Sequence, residues 1–183
     1  TDKQTKIQEY LANIYITTKD YDKAMKAIKA AGINSPNMRA AYQKVAFYRA
    51  TEMFNALQFE GALAKYEEMQ KYPEDQALAN LGNYWMGECH YRLLKFAEAK
   101  EKFLEFRKGF GASIQKVHNR SYYNSAYSNF KLFEFEEAIL DFKKYVKFSP
   151  VDDIRYPDAL LRIGDSYLLQ AKDASLPFLL VLT

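Results

Sequence analysis

The side chains best suited to catalysis are few in this chain and are poorly placed for it. The single cysteine, Cys89, is followed directly by His90. Neighbouring residues of a helix point to different faces, so this histidine is not positioned as a base for the thiol. The other histidine, His118, has no partner at a spacing typical of metal ligands. We therefore expect no catalytic residues, no metal site and no cofactor, and a buried, inert thiol at Cys89.

Charged and glycine-rich segments point to structural roles rather than to phosphate binding. The acidic pair Glu136-Glu137 is typical of a solvated helix start. Gly109-Phe110-Gly111 lacks the strand-to-helix context of a phosphate loop and indicates a helix end. The formal net charge is +3, and Lys and Arg alternate with Asp and Glu along the chain. Such a charge pattern does not require a nucleic-acid partner.

A repeated pair of an aromatic residue and an alanine organises the chain. The alanine follows the aromatic residue by three positions and is itself followed, four positions later, by a bulky residue. Small residues let two helices cross closely, and the bulky residue fills the space beside the crossing. The alanine of this pair recurs at spacings of 38, 37 and 39 residues, which indicates a helical array. The four alanines with their bulky partners are Ala24 and Ile28, Ala62 and Tyr66, Ala99 and Phe103, and Ala138 and Phe142.

The hydrophobic periodicity is helical along the whole chain and predicts an all-α protein without a sheet. Turn residues such as Pro73-Glu74-Asp75 and Ser149-Pro150 separate pairs of helices. The links within pairs are only a few residues long, so the two helices of a pair are expected to be antiparallel. The predicted helices span approximately residues 3–17, 22–31, 38–56, 60–71, 76–94, 97–108, 116–132, 136–148 and 157–171.

These units resemble the tetratricopeptide repeat, a pair of antiparallel helices with a 34-residue period. Gly87, Ala99 and Phe103 in the third unit and Ala126 and Ala138 in the fourth occupy positions where the family prefers such residues. The resemblance implies a right-handed superhelical array, an α-solenoid, with four full repeats and part of a fifth in one domain. It places His90 at a position that is usually a core tyrosine. The implied repeats cover approximately residues 4–37, 38–75, 76–111, 112–152 and 153–183.

Two longer segments are similar to a subset of the family. The segment 84–91 resembles members from bacterial cell envelopes, and the segment 42–49 resembles long repeat proteins of Bacteroides-like bacteria. The resemblance favours the bacterial cell envelope or periplasm and leaves the cytoplasm open. The period of 37 to 39 exceeds the family's 34, so extra residues are expected between repeats.

Members of the family bind extended or helical peptides in a concave groove lined by the first helix of each pair. The resemblance therefore implies a non-catalytic scaffold for a protein or peptide partner. In the third and fourth units the corresponding face is aromatic with flanking cations, a composition typical of binding hot spots. The groove positions carried over to this chain are Asn13, Lys44, Phe47, Thr51, Phe54, Asn55, Tyr84, Glu88, Tyr91, Arg92, Arg120, Tyr123, Tyr127, Phe130, Lys131 and Asp165.

Several alternatives accompany this hypothesis. The aromatic face either contacts a peptide or packs against neighbouring helices. Stacking of nucleic-acid bases on Tyr123 and Tyr127 is disfavoured because acidic residues share the groove. The carboxylate clamp of co-chaperone members is also disfavoured, since only Asn13 matches among its positions. At the level of the whole protein, the alternatives are a structural spacer within a longer array and a regulatory module of a larger protein.

The two ends of the chain depart from the repeat pattern. The chain begins at Thr1, which indicates an excerpt or a processed form. Near the other end the apolar residues 175–183 are too few to span a bilayer. They are a native second helix, an interaction tail, or a truncated or non-native end, and the abrupt loss of the repeat pattern favours the last of these. So apolar a segment should not remain solvated. We expect Leu176 to Leu182 to pack on the helix 157–171 or against another molecule, which allows self-association.

Overall fold

A computed structural model describes residues 6, 10 and 17–181, and it describes side chains as far as Ala171. Within these residues there are eight α-helices and no strand, so the predicted all-α class is confirmed. Most of the predicted helix 3–17, including Asn13, lies outside the described residues. The helices are α1 (Tyr21–Ala31), α2 (Pro36–Asn55), α3 (Phe59–Met69), α4 (Gln76–Arg92), α5 (Phe96–Lys108), α6 (His118–Lys131), α7 (Phe135–Phe148) and α8 (Tyr156–Val181), with a 3-10 turn at Ala112–Ile114.

The helices form antiparallel pairs that stack into a solenoid. The pairs are α2 with α3, α4 with α5 and α6 with α7, while α1 packs on α2 and α8 packs on α7. The first helices of successive pairs also touch, α2 with α4 and α4 with α6. One side of the stack is therefore built from first helices alone. Among the described residues, no helix is both long and apolar enough to cross a bilayer.

Side-chain caps and a proline define where several helices begin. The Ser35 hydroxyl accepts a hydrogen bond from the Met38 amide at 3.2 Å, and Pro36 occupies the first turn of α2. The Asp75 carboxylate accepts from the Leu78 amide at 2.9 Å at the start of α4. These caps satisfy amide groups that have no partner within the helix. The predicted boundaries of α1 to α7 consequently agree with the structure to within two residues.

The turn inside each pair contains a non-glycine residue in the left-handed backbone conformation. Leu57, Leu94 and Phe133 have φ angles of 60°, 61° and 63°, and Lys19 has a φ of 60°. At Leu94 the following amide, of Lys95, donates to the His90 carbonyl at 2.9 Å and closes the end of α4. This is the usual way for a helix to end, but glycine is normally preferred there. The same turn thus recurs with the period of the repeat.

Close packing at small residues forms the core between the helices. Ala99, Ala126 and Ala138 are fully buried. A β-carbon built on Gly87 would lie 2.8 Å from the ring of Phe103, so α4 and α5 approach closely where the sequence has glycine. The predicted role of these small residues at helix crossings agrees with their burial. Phe103 itself is completely buried.

Three amide side chains fasten the start of each first helix to the end of its own pair. Asn80 Nδ2 donates to the carbonyls of Phe106 at 2.9 Å and Phe110 at 3.1 Å. Gln43 exchanges two hydrogen bonds with the backbone of Asp75, at 2.9 and 2.8 Å. In the pair of α6 and α7, Nδ2 of Asn119 donates to the Tyr145 carbonyl at 3.4 Å and to the Ser149 hydroxyl. These amide clasps satisfy backbone groups at helix ends, and the sequence analysis did not anticipate them.

The last helix differs from the prediction. The expected helix ended near residue 171, with the segment from Leu176 onward packed back on it. Instead α8 continues to Val181 as one helix. The prediction that this segment folds back on residues 157–171 is therefore wrong. No glycine follows Gly164 to end the helix, and Pro177 removes only one donated main-chain bond. Packing of the segment against another molecule stays a prediction.

Candidate functional site

A cleft of about 460 Å³ opens between the first helices of three successive pairs. Its walls come from α2, α4, α6 and the segment that precedes α8. Because only first helices and a loop contribute, the cleft lies on the side of the solenoid that these helices form. The lining residues are Phe54, Tyr84, Trp85, Glu88, Tyr91, Arg92, Arg120, Tyr123, Asn124, Tyr127 and Arg155.

Aromatic rings form one wall of the cleft. The rings of Phe54 and Trp85 meet edge to face with centroids 5.1 Å apart, which joins α2 to α4. Tyr91, one and a half turns after Trp85, packs on Phe96 at 5.3 Å. Phe54, Trp85 and Tyr91 are each only partly buried. They therefore present apolar ring surface that is positioned by the neighbouring helices and remains accessible.

A hydrogen-bond network joins α4 to α6 at the base of the cleft. The Tyr84 hydroxyl donates to Glu88 Oε1 at 2.8 Å, and Asn124 Nδ2 donates to the Tyr84 hydroxyl at 3.1 Å and also to Glu88. Tyr84 is completely buried. Burial, and then the charge of Glu88, raises the pKa of Tyr84, which keeps its hydroxyl protonated as a donor. The Glu88 carboxylate thus accepts hydrogen bonds from two side chains of the protein, Tyr84 and Asn124.

Two further tyrosines tie α6 to α8. The hydroxyls of Tyr123 and Tyr127 donate to the same oxygen of Asp158, Oδ2, at 2.7 and 2.5 Å. Both rings also pack on Phe142, with centroids 5.8 and 5.3 Å apart. Burial, and then the hydrogen bond to Asp158, raises the pKa of both tyrosines. These residues border the cleft, but their polar groups serve packing within the protein.

Three guanidinium groups give the cleft an excess of positive charge. Arg92 and Arg120 are exposed, and within the described part of the chain neither forms an ion pair. The third, Arg155, lies 3.5 Å from Asp153, a separation too long for a strong hydrogen bond. The carboxylate among the lining residues is Glu88, which already accepts hydrogen bonds from Tyr84 and Asn124.

The structure brings half of the predicted groove residues together in this cleft. The predicted residues that line it are Phe54, Tyr84, Glu88, Tyr91, Arg92, Arg120, Tyr123 and Tyr127.

Other predicted groove residues take part in packing within the protein. The Phe47 ring lies 5.7 Å from that of Tyr66, and the Thr51 hydroxyl is 3.1 Å from the Tyr66 hydroxyl. Asp165 forms an ion pair with Arg162 at 2.7 Å. Phe130 packs on Phe135. Lys44, Asn55 and Lys131 are exposed and do not line the cleft, and Asn13 is outside the described residues.

Three lining residues were missed by the sequence analysis. Trp85 precedes Glu88 by three positions and Arg92 by seven. Residues at these spacings lie on one face of a helix, so the sequence contained a signal for Trp85. Asn124 follows Arg120 by four positions, so the same helical spacing places it on the face of Arg120. Arg155 lies in the loop before α8, where no periodic pattern exists, and only the tertiary structure brings it to the cleft.

The residues first considered for catalysis are in unreactive surroundings. Cys89 is completely buried, and burial followed by the nearby charge of Glu88 raises its pKa to about 12, so the thiol stays protonated. Burial lowers the pKa of His90 and, together with the charge of Arg107, that of His118. Both imidazoles are therefore neutral near pH 7. In the described part of the chain, no group of three or more His, Cys, Asp or Glu residues is arranged to hold a metal ion.

Comparisons with known proteins agree with the repeat architecture. The family model described as "Tetratricopeptide repeat" matches residues 11–31 and 120–152. A comparison with curated protein sequences found no significant match. Among solved structures, MamA is 16% identical with a TM-score of 0.64, and the alignment covers 98% of this chain and 90% of MamA. Identity at this level supports a shared fold and not a shared ligand.

Two further solved structures are similar. The apo form of RapI is 16% identical with a TM-score of 0.62 over 93% of this chain, which spans about half of RapI, 53% of its length. TPR-like repeats from a Podosopora anserina kinesin light chain are 11% identical with a TM-score of 0.58, over 100% of this chain and 94% of that one. The matched segments, the stacked helix pairs and these structural relatives together show that the chain has a helical-repeat fold of the tetratricopeptide type.

Proposed function

We propose that this chain is a non-catalytic interaction scaffold that binds a peptide or a segment of a partner protein in the cleft between α2, α4 and α6. The observation that carries the proposal is the combination of accessible aromatic rings with unpaired guanidinium groups in one concave site. Aromatic residues and arginine are the residues most enriched among binding hot spots, because they bury a large area and form several directional hydrogen bonds.

The proposal is more specific than the family role. Proteins with tetratricopeptide repeats are commonly interaction scaffolds, and the accessible rings and arginines of the cleft support it as the binding part of this chain. Tyr84, Tyr123 and Tyr127 support the cleft from within, since their hydroxyls are bonded to Glu88 and Asp158. Phe54, Trp85 and Tyr91 are partly exposed and are the residues that a ligand would contact.

A random peptide library displayed on phage tests the proposal. We expect selection against the wild-type protein to enrich peptides that no longer bind the double variant Phe54→Ala, Trp85→Ala. The variant Leu104→Ala is a matched control, because Leu104 is a partly exposed apolar residue of α5 that does not line this cleft. Circular dichroism and thermal melting establish that each variant is folded.

Binding by the variants distinguishes the cleft from other sites on the molecule. Loss of binding in the double variant and its retention in Leu104→Ala support the cleft as the binding site. The double substitution removes packing between α2 and α4. The single substitution Arg92→Gln, at an exposed residue of the cleft, therefore provides a second test that leaves the core intact. Peptides that bind all of these variants as tightly as the wild type would show that binding occurs elsewhere on the molecule.

One observation favours a second candidate, a structural spacer within a longer array. Leu160, Leu161, Tyr167 and Leu168 of α8 are about half exposed, at 48 to 58%. Gly164, on the same helix, has no described atom within 4 Å of an added β-carbon, whereas the equivalent Gly87 meets Phe103. A further helix packed on α8 would cover these residues. Extending the sequence by the residues that follow in its gene, and measuring whether the melting temperature rises, tests this candidate.

We also propose a bacterial cell-envelope setting, on the resemblance of the segments 42–49 and 84–91 to envelope members of the family. Fractionation of the native host cells, followed by detection with an antibody, tests it. Recovery in the cytoplasmic fraction alone would contradict this setting and would leave the binding proposal untouched.

A further inference from the structure

The charge of the cleft indicates which class of peptide it accepts. Arg92 extends from the end of α4, Arg120 from the first turn of α6, and Arg155 from the loop before α8. These three residues come from three separate elements of the fold and converge on one cleft. Their convergence is not a consequence of helical spacing along a single helix.

The positive charge of this cluster is not balanced within the described part of the protein. Arg92 and Arg120 have no ion-pair partner there, and Arg155 makes only the long contact of 3.5 Å to Asp153. Other arginines of the chain are paired: Arg49 lies 3.0 Å from Asp22, and Arg162 lies 2.7 Å from Asp165. The cleft thus contains two arginines without an ion-pair partner in the described residues, Arg92 and Arg120, and a third, Arg155, whose ion pair is long.

The carboxylate that lines the cleft, Glu88, forms no ion pair with these arginines among the described residues. Glu88 accepts hydrogen bonds from Tyr84 and Asn124 at the base of the cleft. A guanidinium group pairs with a carboxylate through two parallel hydrogen bonds. Beside them, Phe54 and Trp85 provide an edge-to-face aromatic surface that suits one large apolar side chain.

From this arrangement we propose that the cleft binds an acidic peptide segment, in which aspartate or glutamate side chains flank an aromatic or large aliphatic residue. The carboxylates pair with Arg92, Arg120 and Arg155, and the apolar residue rests against Phe54 and Trp85. This inference rests on the proposed function, since it names the ligand class of the same cleft.

A peptide is favoured over a nucleic acid on the chemistry of the walls. A single strand requires a groove whose positive charges follow a continuous backbone, with successive rings for base stacking. Here the cations are gathered around one cleft of about 460 Å³. The ring surfaces of Phe54 and Trp85 meet edge to face and form one apolar site rather than a row of stacking platforms.

The same displayed library decides the ligand class. We expect the peptides that require the cleft to be enriched in aspartate and glutamate around one aromatic or large aliphatic residue. Synthetic copies of the best peptide, with fluorescein attached, are then compared with copies in which every aspartate and glutamate is replaced by asparagine and glutamine. Fluorescence anisotropy should show affinity at least about tenfold weaker for the neutral copy, and weaker binding at higher salt.

Variants of the protein assign the effect to the cluster. Arg92→Gln and Arg120→Gln should each weaken binding of the acidic peptide by about tenfold while leaving the neutral copy almost unaffected. Lys131→Gln is the matched control, since Lys131 is an exposed cation at the end of α6 that does not line the cleft. It should bind the acidic peptide as the wild type does.

Each remaining outcome overturns the inference in a distinct way. Peptides that are neutral or basic but still require Phe54 and Trp85 would refute the acidic ligand and leave the proposed function standing. A library without any cleft-dependent peptide would refute both proposals. An oligothymidylate strand that displaces the acidic peptide, and that depends on Arg92 and Arg120, would identify the cleft as a nucleic-acid site instead.

Discussion

The backbone of Gly87 in α4 lies directly against the ring of Phe103 in α5, and an added β-carbon at Gly87 would be 2.8 Å from that ring. Gly164 occupies the equivalent position in α8, but there a β-carbon would meet no described atom within 4 Å. Among the described residues, glycine therefore occupies this repeat position twice, once against a ring of the second helix and once with no described atom beside it.

This pair of glycines predicts opposite effects of one substitution. Gly87→Ala should destabilise the protein by about 1–3 kcal/mol, because Phe103 is fully buried and its ring cannot move away without disturbing the core. Gly164→Ala should stabilise α8 by about 0.5–1 kcal/mol, since alanine favours helix and has room. Urea unfolding of both variants measures the difference. Equal effects at the two positions would contradict the proposed packing of α4 on α5.

The left-handed residue Leu94 predicts a stabilising substitution. With φ at 61° it occupies a conformation in which a β-carbon is strained, and its side chain is 73% exposed, so little packing is lost on its removal. Leu94→Gly should raise the free energy of unfolding by up to about 1 kcal/mol. The control Leu104→Gly, in the interior of α5, should lower it by about 1 kcal/mol. If Leu94→Gly lowers the free energy of unfolding as much as Leu104→Gly does, the turn does not have the strained geometry seen here.

The amide clasp of Asn80 predicts a strong effect of an isosteric change. Asn80 is buried and its Nδ2 donates to the carbonyls of Phe106 and Phe110. Asn80→Asp replaces this donor by an acceptor beside two carbonyl oxygens and should cost about 2 kcal/mol or more at pH 7. Asn55→Asp, at the exposed end of α2, should change stability by less than about 0.5 kcal/mol. Thermal unfolding compares the two, and a small effect at Asn80 would argue against the clasp.

The carboxylate of Glu68 predicts a pH dependence of stability. Lys29 and Lys65 approach it at 2.9 and 2.7 Å, and the Tyr42 hydroxyl also donates to it. Burial raises the pKa of Glu68, but these hydrogen bonds outweigh burial and lower it from 4.5 to about 2. A lowered pKa stabilises the folded state fully above pH 4.5, and this contribution is lost as the pH falls from 4.5 toward 2.

Urea unfolding between pH 6 and pH 3 of the wild type and of Glu68→Gln isolates this contribution, because the other carboxyl groups titrate in both proteins. We expect the wild type to be the more stable protein at pH 6 and the advantage to shrink steadily below pH 4.5. A stability difference that stays constant across this range would show that Glu68 does not titrate as the network requires.

The architecture was predictable because its signals are local. Amphipathic periodicity identified each helix from α1 to α7, and caps such as Ser35 and Asp75 set where two of them begin. Alanine at the recurring crossing position set the register of the repeat. Each of these features depends on residues within one or two helical turns, so an isolated sequence contains the information. At α8 the local signals were misread, because the helix was expected to end near residue 171, whereas it continues to Val181.

The site was predictable only in part because it depends on how the helices are rotated against one another. The family resemblance gave Phe47 and Phe54 as groove candidates on one helix, yet packing turns Phe47 toward Tyr66 and leaves Phe54 in the cleft. Arg155 reaches the same cleft from a loop. The sequence by itself determined the helices, the repeat and the residue types available for binding. The tertiary structure decided which of them meet, because helix rotation and loop position result from packing between residues that are distant along the chain.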